Sequence, residues 1–371
     1  MRILFFGDYS NLHACLAGEL RRRGHHITVI SDGGRYMDTD KDILLERAPG
    51  RLGAVSYLYQ IFKILPSLRD YDVVQLINPH FLSLKPGKIK YFFDILRKNN
   101  RSVFLTLAGN DYYFVKTCLE ARTFRFSEFE SAGKPSEFEF ATRHGALWTA
   151  PGMKEFCDYI YSNIDGAMAV LPEYDIAARP YLGDRLSFTN IPVDLASLPK
   201  VPALSAGDLS DRIRLFIGMR QGMEIQKGTA RMLRICLELE KEMPGRCSVT
   251  CVRNLPLAEY LRRMSESHIV LDQLYSYSPG TNAFQAMALG RVAATGAQPE
   301  YYEYIGEPDT GAIIPLSPLV SDLEWKERFR SLILDPACLP AMAAEGRRIA
   351  EKHNAVTTVT DRFLTHWQHL S

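Results

Sequence analysis

Two cations and a helix start occur close enough in this sequence to hold a diphosphate between them. Arg220 follows the apolar run Ile213 to Met219, and Lys227 precedes Gly228 and a helical pattern from Thr229 to Met243. A guanidinium forks onto two phosphate oxygens, and a lysine adds a mobile point charge. Gly218 is expected to let the backbone turn sharply off the strand. Further on, Ser278-Pro279-Gly280-Thr281 reads as the opening of a helix that closes at Gly290. Ser278 suits the N-cap, Pro279 the first helical position and Gly290 the left-handed terminator. The N–H groups around Gly280 and Thr281 would then face an anion. Gln285, on the same helix, offers an uncharged amide to hydroxyl groups. Taken singly, each cation reads better as a solvated surface charge; only their joint placement after one strand, with the capped helix following, suggests a site.

A second group of polar residues lies in the first half. The apolar run Arg101 to Leu107 ends in Ala108-Gly109-Asn110-Asp111, and Asp72 to Ile77 ends in Asn78-Pro79-His80. Asn110 and Asp111 are candidates to touch the reacting groups; the alternative for Asp111 is to cap the helix that begins at Tyr112. His80 reads either as a third such contact or as a packing residue. Glu300 and Glu303, after a later strand, are candidates to accept hydrogen bonds from a ligand or simply lie exposed. Asp38-Thr39-Asp40 has the form of a metal-binding triplet, but such triplets are common in polar loops, and no metal site is expected.

These residues need strand ends to hold them. Apolar runs alternate with helical patterns throughout, beginning with Ile3 to Phe6, a helix to Arg23 with Leu12, Leu16 and Leu20 on one face, and Ile27 to Ile30. That alternation specifies an α/β protein with parallel sheets, and 371 residues suggest two domains. The Pro-, Ser- and Ala-rich stretch from Leu195 to Asp211 reads as the linker. The expected domains are 1–205, 206–350, and a C-terminal helix over 351–371. Residues 112–158 lose clear periodicity and mix charges with aromatics, among them Phe124, Phe126, Phe129, Phe138, Phe140 and Trp148. That excursion reads as a ligand-recognition segment or as a helical addition packing its aromatics.

A formal charge of +1 gives no reason to expect nucleic acid as a partner. Seven cysteines without paired metal spacing read as buried thiols in a reducing compartment. No segment approaches the length of a membrane span. The expected location is the cytoplasm, with attachment at the inner face of the membrane left open.

Gly218-Met219-Arg220, Lys227-Gly228, Asp272 and the run Gln285 to Thr295 resemble the donor-binding half of glycosyltransferase family 4. The resemblance covers most of the C-terminal half and is weak in the N-terminal half. It implies the GT-B fold, two doubly wound Rossmann-like domains facing across a cleft with the C-terminal helix crossing back to the first, and a retaining, metal-independent transfer. The sugar would pass from a nucleotide-diphosphate sugar, bound as substrate with no cofactor, to a glycan or lipid-linked acceptor. The family's two glutamates fall here on Tyr277 and Gln285, and a phenol cannot act as the acceptor-only carboxylate usually aimed at the donor sugar. The donor set implied is Gly218, Arg220, Lys227, Tyr277, Ser278, Gly280, Thr281, Gln285 and Glu300. The alternatives are a GT-B epimerase or phosphorylase, and a nucleotide- or glycan-binding protein without turnover.

Overall fold

The computed structural model describes residues 1–120, 122–131, 134–135, 139–220, 222 and 224–370. Phe138 and the side chain of Phe140 lie outside the described residues. In chain order the first elements are β1 (Arg2–Phe6), α1 (Leu12–Arg22), β2 (His26–Ser31), β3 (Ile43–Leu44), α2 (Gly50–Ile64), β4 (Val73–Leu76), α3 (Pro86–Asn99) and β5 (Ser102–Leu107). Next come α4 (Tyr112–Leu119), β6 (Glu130–Ser131), β7 (Lys134–Pro135), α5 (Glu139–Trp148), α6 (Pro151–Asn163), β8 (Gly166–Ala169), α7 (Pro172–Leu182) and β9 (Leu186–Phe188). The remainder is β10 (Ile213–Met219), α8 (Thr229–Glu242), β11 (Cys247–Arg253), α9 (Leu257–Ser265), β12 (Ile269–Leu271), α10 (Thr281–Ala288), β13 (Val292–Thr295), α11 (Pro299–Ile305), β14 (Ile314–Pro315), α12 (Asp322–Leu334), α13 (Leu339–Asn354) and α14 (Val356–Leu370).

These elements build two parallel sheets and one short hairpin. The first sheet has seven strands in the order β3-β2-β1-β4-β5-β8-β9, and the second has five in the order β11-β10-β12-β13-β14. The strands β4, β5, β8, β12 and β13 are buried along their whole length. Helices covering both faces of a parallel sheet require that, and it is why these strands are continuous apolar runs. The short strands β3, β9 and β14 were not legible in the sequence, since two or three residues carry no periodicity.

The chain divides into two compact units. One comprises Met1–Lys116, Ala146–Pro192 and the chain from Val356 onward; the other comprises Thr117–Gly145 and Val193–Ala355. The stretch read as a linker is in part structured, because Leu204 and Leu209 enter the core of the second unit beside Ile213. Segment 117–145, assigned from sequence to the first domain, packs in the second unit, where Phe124 and Phe126 lie against Tyr277.

A directed chain of buried hydrogen bonds ties α14 to the first sheet. The indole of Trp367 donates to Gln75 Oε1 (2.9 Å), and Gln75 Nε2 donates to Thr106 Oγ1 (2.9 Å). Thr106 also meets His13 Nε2 (2.9 Å), and His13 Nδ1 meets the Gly7 carbonyl (2.7 Å). Each polarity follows from the last: indole only donates, a carbonyl only accepts, so Nδ1 carries the imidazole proton and Nε2 accepts the threonine proton. His13 is therefore held neutral, and burial lowers its pKa to about 3. Asp8, one turn earlier, accepts from the His13 N–H (2.8 Å) and from Thr39 Oγ1 (3.1 Å). Burial raises its pKa to about 6, against the lowering effect of those bonds.

The two shifts oppose one another. Between pH 6.5 and 3 the unfolded chain holds a proton on His13 that the native chain lacks, so acidification removes stability. Between pH 6 and 3.8 the native chain holds a proton on Asp8 that the unfolded chain lacks, so acidification adds stability. Asp8→Asn should expose the histidine contribution alone. Relative to the native protein it should lose about 2 kcal/mol more as pH falls from 6 to 4, the part that protonation of Asp8 otherwise restores. Denaturant titrations at the two pH values check this, and parallel pH profiles for native protein and variant would refute it.

Candidate functional site

In the second sheet the chain leaves β10 to add β11 on one side and then returns to add β12 on the other. The loops after β10 and β12 therefore diverge, which opens the crevice where parallel α/β sheets hold ligands. Both candidate cations stand on the first of these loops. Arg220 is exposed and makes no hydrogen bond or ion pair among the described residues. Lys227 is partly exposed, with its ammonium 3.8 Å from Asp272 Oδ1. Gly228, at φ +72°, forms the N-cap of α8, and the Lys227 carbonyl accepts the Leu274 N–H at 3.0 Å, so the two loops are joined.

Asp272, at the end of β12, is the fixed point of the site. Its buried carboxylate accepts from the Gly280 N–H (3.2 Å) and from Asn282 Nδ2 (3.2 Å), and it faces Lys227. This corrects the expected helix start. Gly280, not Ser278, is the N-cap, and α10 begins at Thr281. Ser278 is buried two residues upstream, and its carbonyl accepts from Ser276 Oγ (2.8 Å) and Gln273 Nε2 (3.3 Å). A capping side chain is unnecessary because Asp272 supplies the carboxylate from another loop. Gly280 is required there for space: a Cβ would lie 2.6 Å from Asp272 Oδ2. Gly290 ends the helix at φ +66°, as expected. The first-turn N–H groups of Thr281 and its neighbours have no acceptor within the helix. They adjoin a cation–carboxylate pair rather than an uncovered helix end.

Gly218 differs from expectation too. It lies inside β10 and makes no turn; its missing side chain leaves room for the Tyr260 hydroxyl, which a Cβ would meet at 1.9 Å. Gln285 is on α10 and buried.

Tyr277 is enclosed by its own unit and only 2 % exposed. Its ring stacks on Phe126 (centroids 4.7 Å apart, planes at 28°), and Phe124 lies 5.2 Å away. Its hydroxyl accepts the Arg125 backbone N–H, and burial raises its pKa. The Arg125 guanidinium lies 5.1 Å from the ring centroid and 3.1 Å from Glu300, and it donates to Gln298 Oε1 at 3.2 Å. Tyr277, expected among the donor-binding residues, is thus a buried anchor, and the groups left at the surface are Arg125 and Glu300. Arg125 was missed in the sequence. The Phe-Arg-Phe alternation, which puts the aromatics on one face and the cation on the other, was the available signal.

In the first unit Asp111 takes the capping alternative. Oδ1 accepts the Phe114 N–H (2.8 Å) and Oδ2 the Tyr161 hydroxyl (2.6 Å), and burial raises its pKa despite these bonds. Asn110 remains partly exposed, and its carbonyl accepts from Asn78 Nδ2 (3.2 Å). His80 packs edge-on to Trp148 and Phe156 at centroid distances of 4.9 and 4.8 Å, and burial lowers its pKa to about 4. Asp38 pairs with Lys41, while Thr39 turns inward to Asp8. Among the described residues no group of three His, Cys, Asp or Glu side chains is placed to hold a metal ion, and no helix is long and apolar enough to cross a membrane. An open groove of about 560 Å³ runs along α8, lined by Met219, Leu233, Leu237 and Arg253 among others, and includes none of Arg220, Lys227 or Asp272.

No protein-family model matches the chain, and no curated protein matches it in sequence. Solved structures do match in fold. Sucrose-phosphate synthase from Thermosynechococcus elongatus is 13% identical with a TM-score of 0.63, over 100% of this chain and 99% of that one. HepE of Anabaena, in complex with UDP and glucose, is 14% identical with a TM-score of 0.61, over 100% of both chains. WaaG, a glycosyltransferase involved in lipopolysaccharide biosynthesis, is 11% identical with a TM-score of 0.59, again over 100% of both. Two parallel-sheet units of seven and five strands, matched along their whole length, give this chain the GT-B fold.

Proposed function

We propose that this protein is a glycosyltransferase of the family 4 type, moving a sugar from a nucleotide-diphosphate sugar to a glycan or lipid-linked acceptor with retention of configuration. The observation that carries this reading is the meeting of Lys227 and the start of α10 on Asp272 at the switch point of the second sheet, with Arg220 on the same loop as Lys227. HepE, which shares the fold, is crystallised with UDP and glucose. The work of such a site is to neutralise the diphosphate as it leaves and to hold the acceptor hydroxyl near the reacting carbon. Arg220, unpaired, turns onto the phosphate oxygens, and Lys227 exchanges its 3.8 Å contact with Asp272 for the incoming anion. Asp272 keeps the α10 N–H groups in place while that exchange occurs.

The sugar end of the donor meets Arg125 and Glu300, and Tyr277 serves beneath them as their support. In the first unit Asn110 is the acceptor contact, and Asp111 fixes its position through α4 and Tyr161. With two cations and a helix start available, the reaction proceeds without a divalent ion. The protein works in the cytoplasm, at the inner face of the membrane when the acceptor is lipid-linked.

Arg220→Ala and Lys227→Ala should each weaken binding of UDP by about 1.5–3 kcal/mol, the range for charge-assisted hydrogen bonds. Calorimetry reads this directly, and unchanged affinity in both variants removes the site.

Transfer activity should survive a chelator such as EDTA. Activity lost to chelation and restored by magnesium or manganese would reverse the metal assignment.

Tyr277→Ala should destabilise the second unit by about 3–5 kcal/mol, as expected when a buried aromatic is removed. Arg125→Ala removes a half-exposed pair with Glu300, a bond to Gln298 and a contact over the Tyr277 ring, and should cost less, about 1–2 kcal/mol. That variant should nonetheless lose the preference for one nucleotide sugar over free diphosphate. A competition series in which Arg125→Ala keeps the native sugar preference would place the sugar elsewhere.

A further inference from the structure

Helix α2 turns a row of large apolar side chains to solvent. Leu52 is 87 % exposed, Val55 66 %, Tyr59 69 % and Phe62 51 %, whereas Gly53, Tyr57 and Ile61 face the interior. Spacings of three, four and three residues put the exposed four on one face, extending about 15 Å along the axis. Single exposed apolar residues are ordinary, but four on one helix face form a contiguous patch of the kind that marks an interaction surface.

Positive charge predominates around this row, with Glu46 and Asp70 at its two ends. From Arg47 to Arg69 the sequence holds Arg47, Arg51, Lys63 and Arg69 and no acidic residue; from Val73 to Phe93 it holds Lys85, Lys88 and Lys90 and again none. The second stretch lies beside the first, since Phe62 of α2 meets Phe92 of α3 edge-on at 5.4 Å, with the exposed Tyr91 next to it. Three of these cations have partners: Arg47 donates to the Ser83 carbonyl, Arg69 lies 3.9 Å from Asp70, and Lys90 sits 3.7 Å over the Tyr159 ring. Arg51, Lys63, Lys85 and Lys88 are exposed and form no ion pair among the described residues. Both helices follow strands of a parallel sheet, so both begin at its carboxyl edge, the edge that carries Asn110.

We infer that the α2 face, with the first turn of α3, docks on an anionic lipid bilayer. Leucine, valine and aromatic side chains on one helix face insert at the level of the headgroups, while lysine and arginine beside them meet lipid phosphates. The excess of positive charge, with Arg51, Lys63, Lys85 and Lys88 in no ion pair among the described residues, disfavours a second copy of this chain as occupant, because two such faces repel. The inference builds on the lipid-linked acceptor proposed above, yet it is measured without donor, acceptor or turnover.

The test is flotation of the full chain with phosphatidylcholine vesicles, with and without phosphatidylglycerol. Binding should require phosphatidylglycerol and weaken with salt. The double variants Leu52→Ser/Tyr59→Ser and Arg51→Glu/Lys63→Glu should each bind at least about tenfold more weakly, with melting temperature and UDP affinity unchanged. The inference is overturned if the native chain stays unbound, if it binds neutral vesicles equally well, or if both variants bind as the native chain does. It is also overturned if sedimentation shows a dimer that Leu52→Ser/Tyr59→Ser abolishes, which would give the face to a second copy. Vesicle binding without UDP affinity would remove the transferase reading and leave the docking surface standing.

Discussion

Parallel pairing is the constraint on which this molecule rests. A strand cannot return beside its neighbour in the same direction without a crossover, and here nearly every crossover carries a helix, so both faces of each sheet are covered. The strands in the middle must then be apolar on both sides. The same constraint sends every strand's carboxyl end to one edge, where the loops carry whatever polarity the sequence has left. Arg220, Lys227 and Asp272 belong to such loops in the second unit, and Glu300 to the first turn of α11 just beyond one; Asn110 belongs to a loop in the first.

Within that frame, buried polar groups supply specificity. The line from Trp367 through Gln75, Thr106 and His13 to Gly7 has a single consistent direction of donation, which α14 in any other register would break. Asp272 acts similarly in the second unit. One carboxylate satisfies the Gly280 N–H and the Asn282 amide and balances Lys227, so the helix start, the β12 loop and the β10 loop are set by one residue. An anion arriving there would meet a preformed arrangement and change one weak contact, which costs little reorganisation.

The enclosure of Tyr277 bears on how the site reads its ligand. A buried phenol stacked on Phe126 presents no polar surface, and the polarity of that edge has moved to Arg125 and Glu300, on segments far apart in sequence. A cation joined to a carboxylate can offer both a donor and an acceptor to a hydroxylated ring, which a lone carboxylate cannot.

The sequence by itself determined the α/β class, the strands from Ile3 to Phe6 and from Ile213 to Met219, the helix from Thr229, and the termination of α10 at Gly290. Each rests on a signal local to the chain: an apolar run, a 3.6-residue period, or a glycine free to take positive φ. It also put Arg220 and Lys227 at a strand end, since position along a strand–loop–helix unit is local as well. The tertiary structure alone decided the helix cap, because the carboxylate that serves Gly280 comes from Asp272, eight residues earlier on another strand. It alone decided that Asp111 caps α4 and bonds Tyr161, that Gly218 makes room for Tyr260, and that Tyr277 lies beneath a segment some 150 residues upstream. A residue type states what a side chain can donate, accept or bury. Which partner takes up that capacity depends on distances that exist only after the chain has folded.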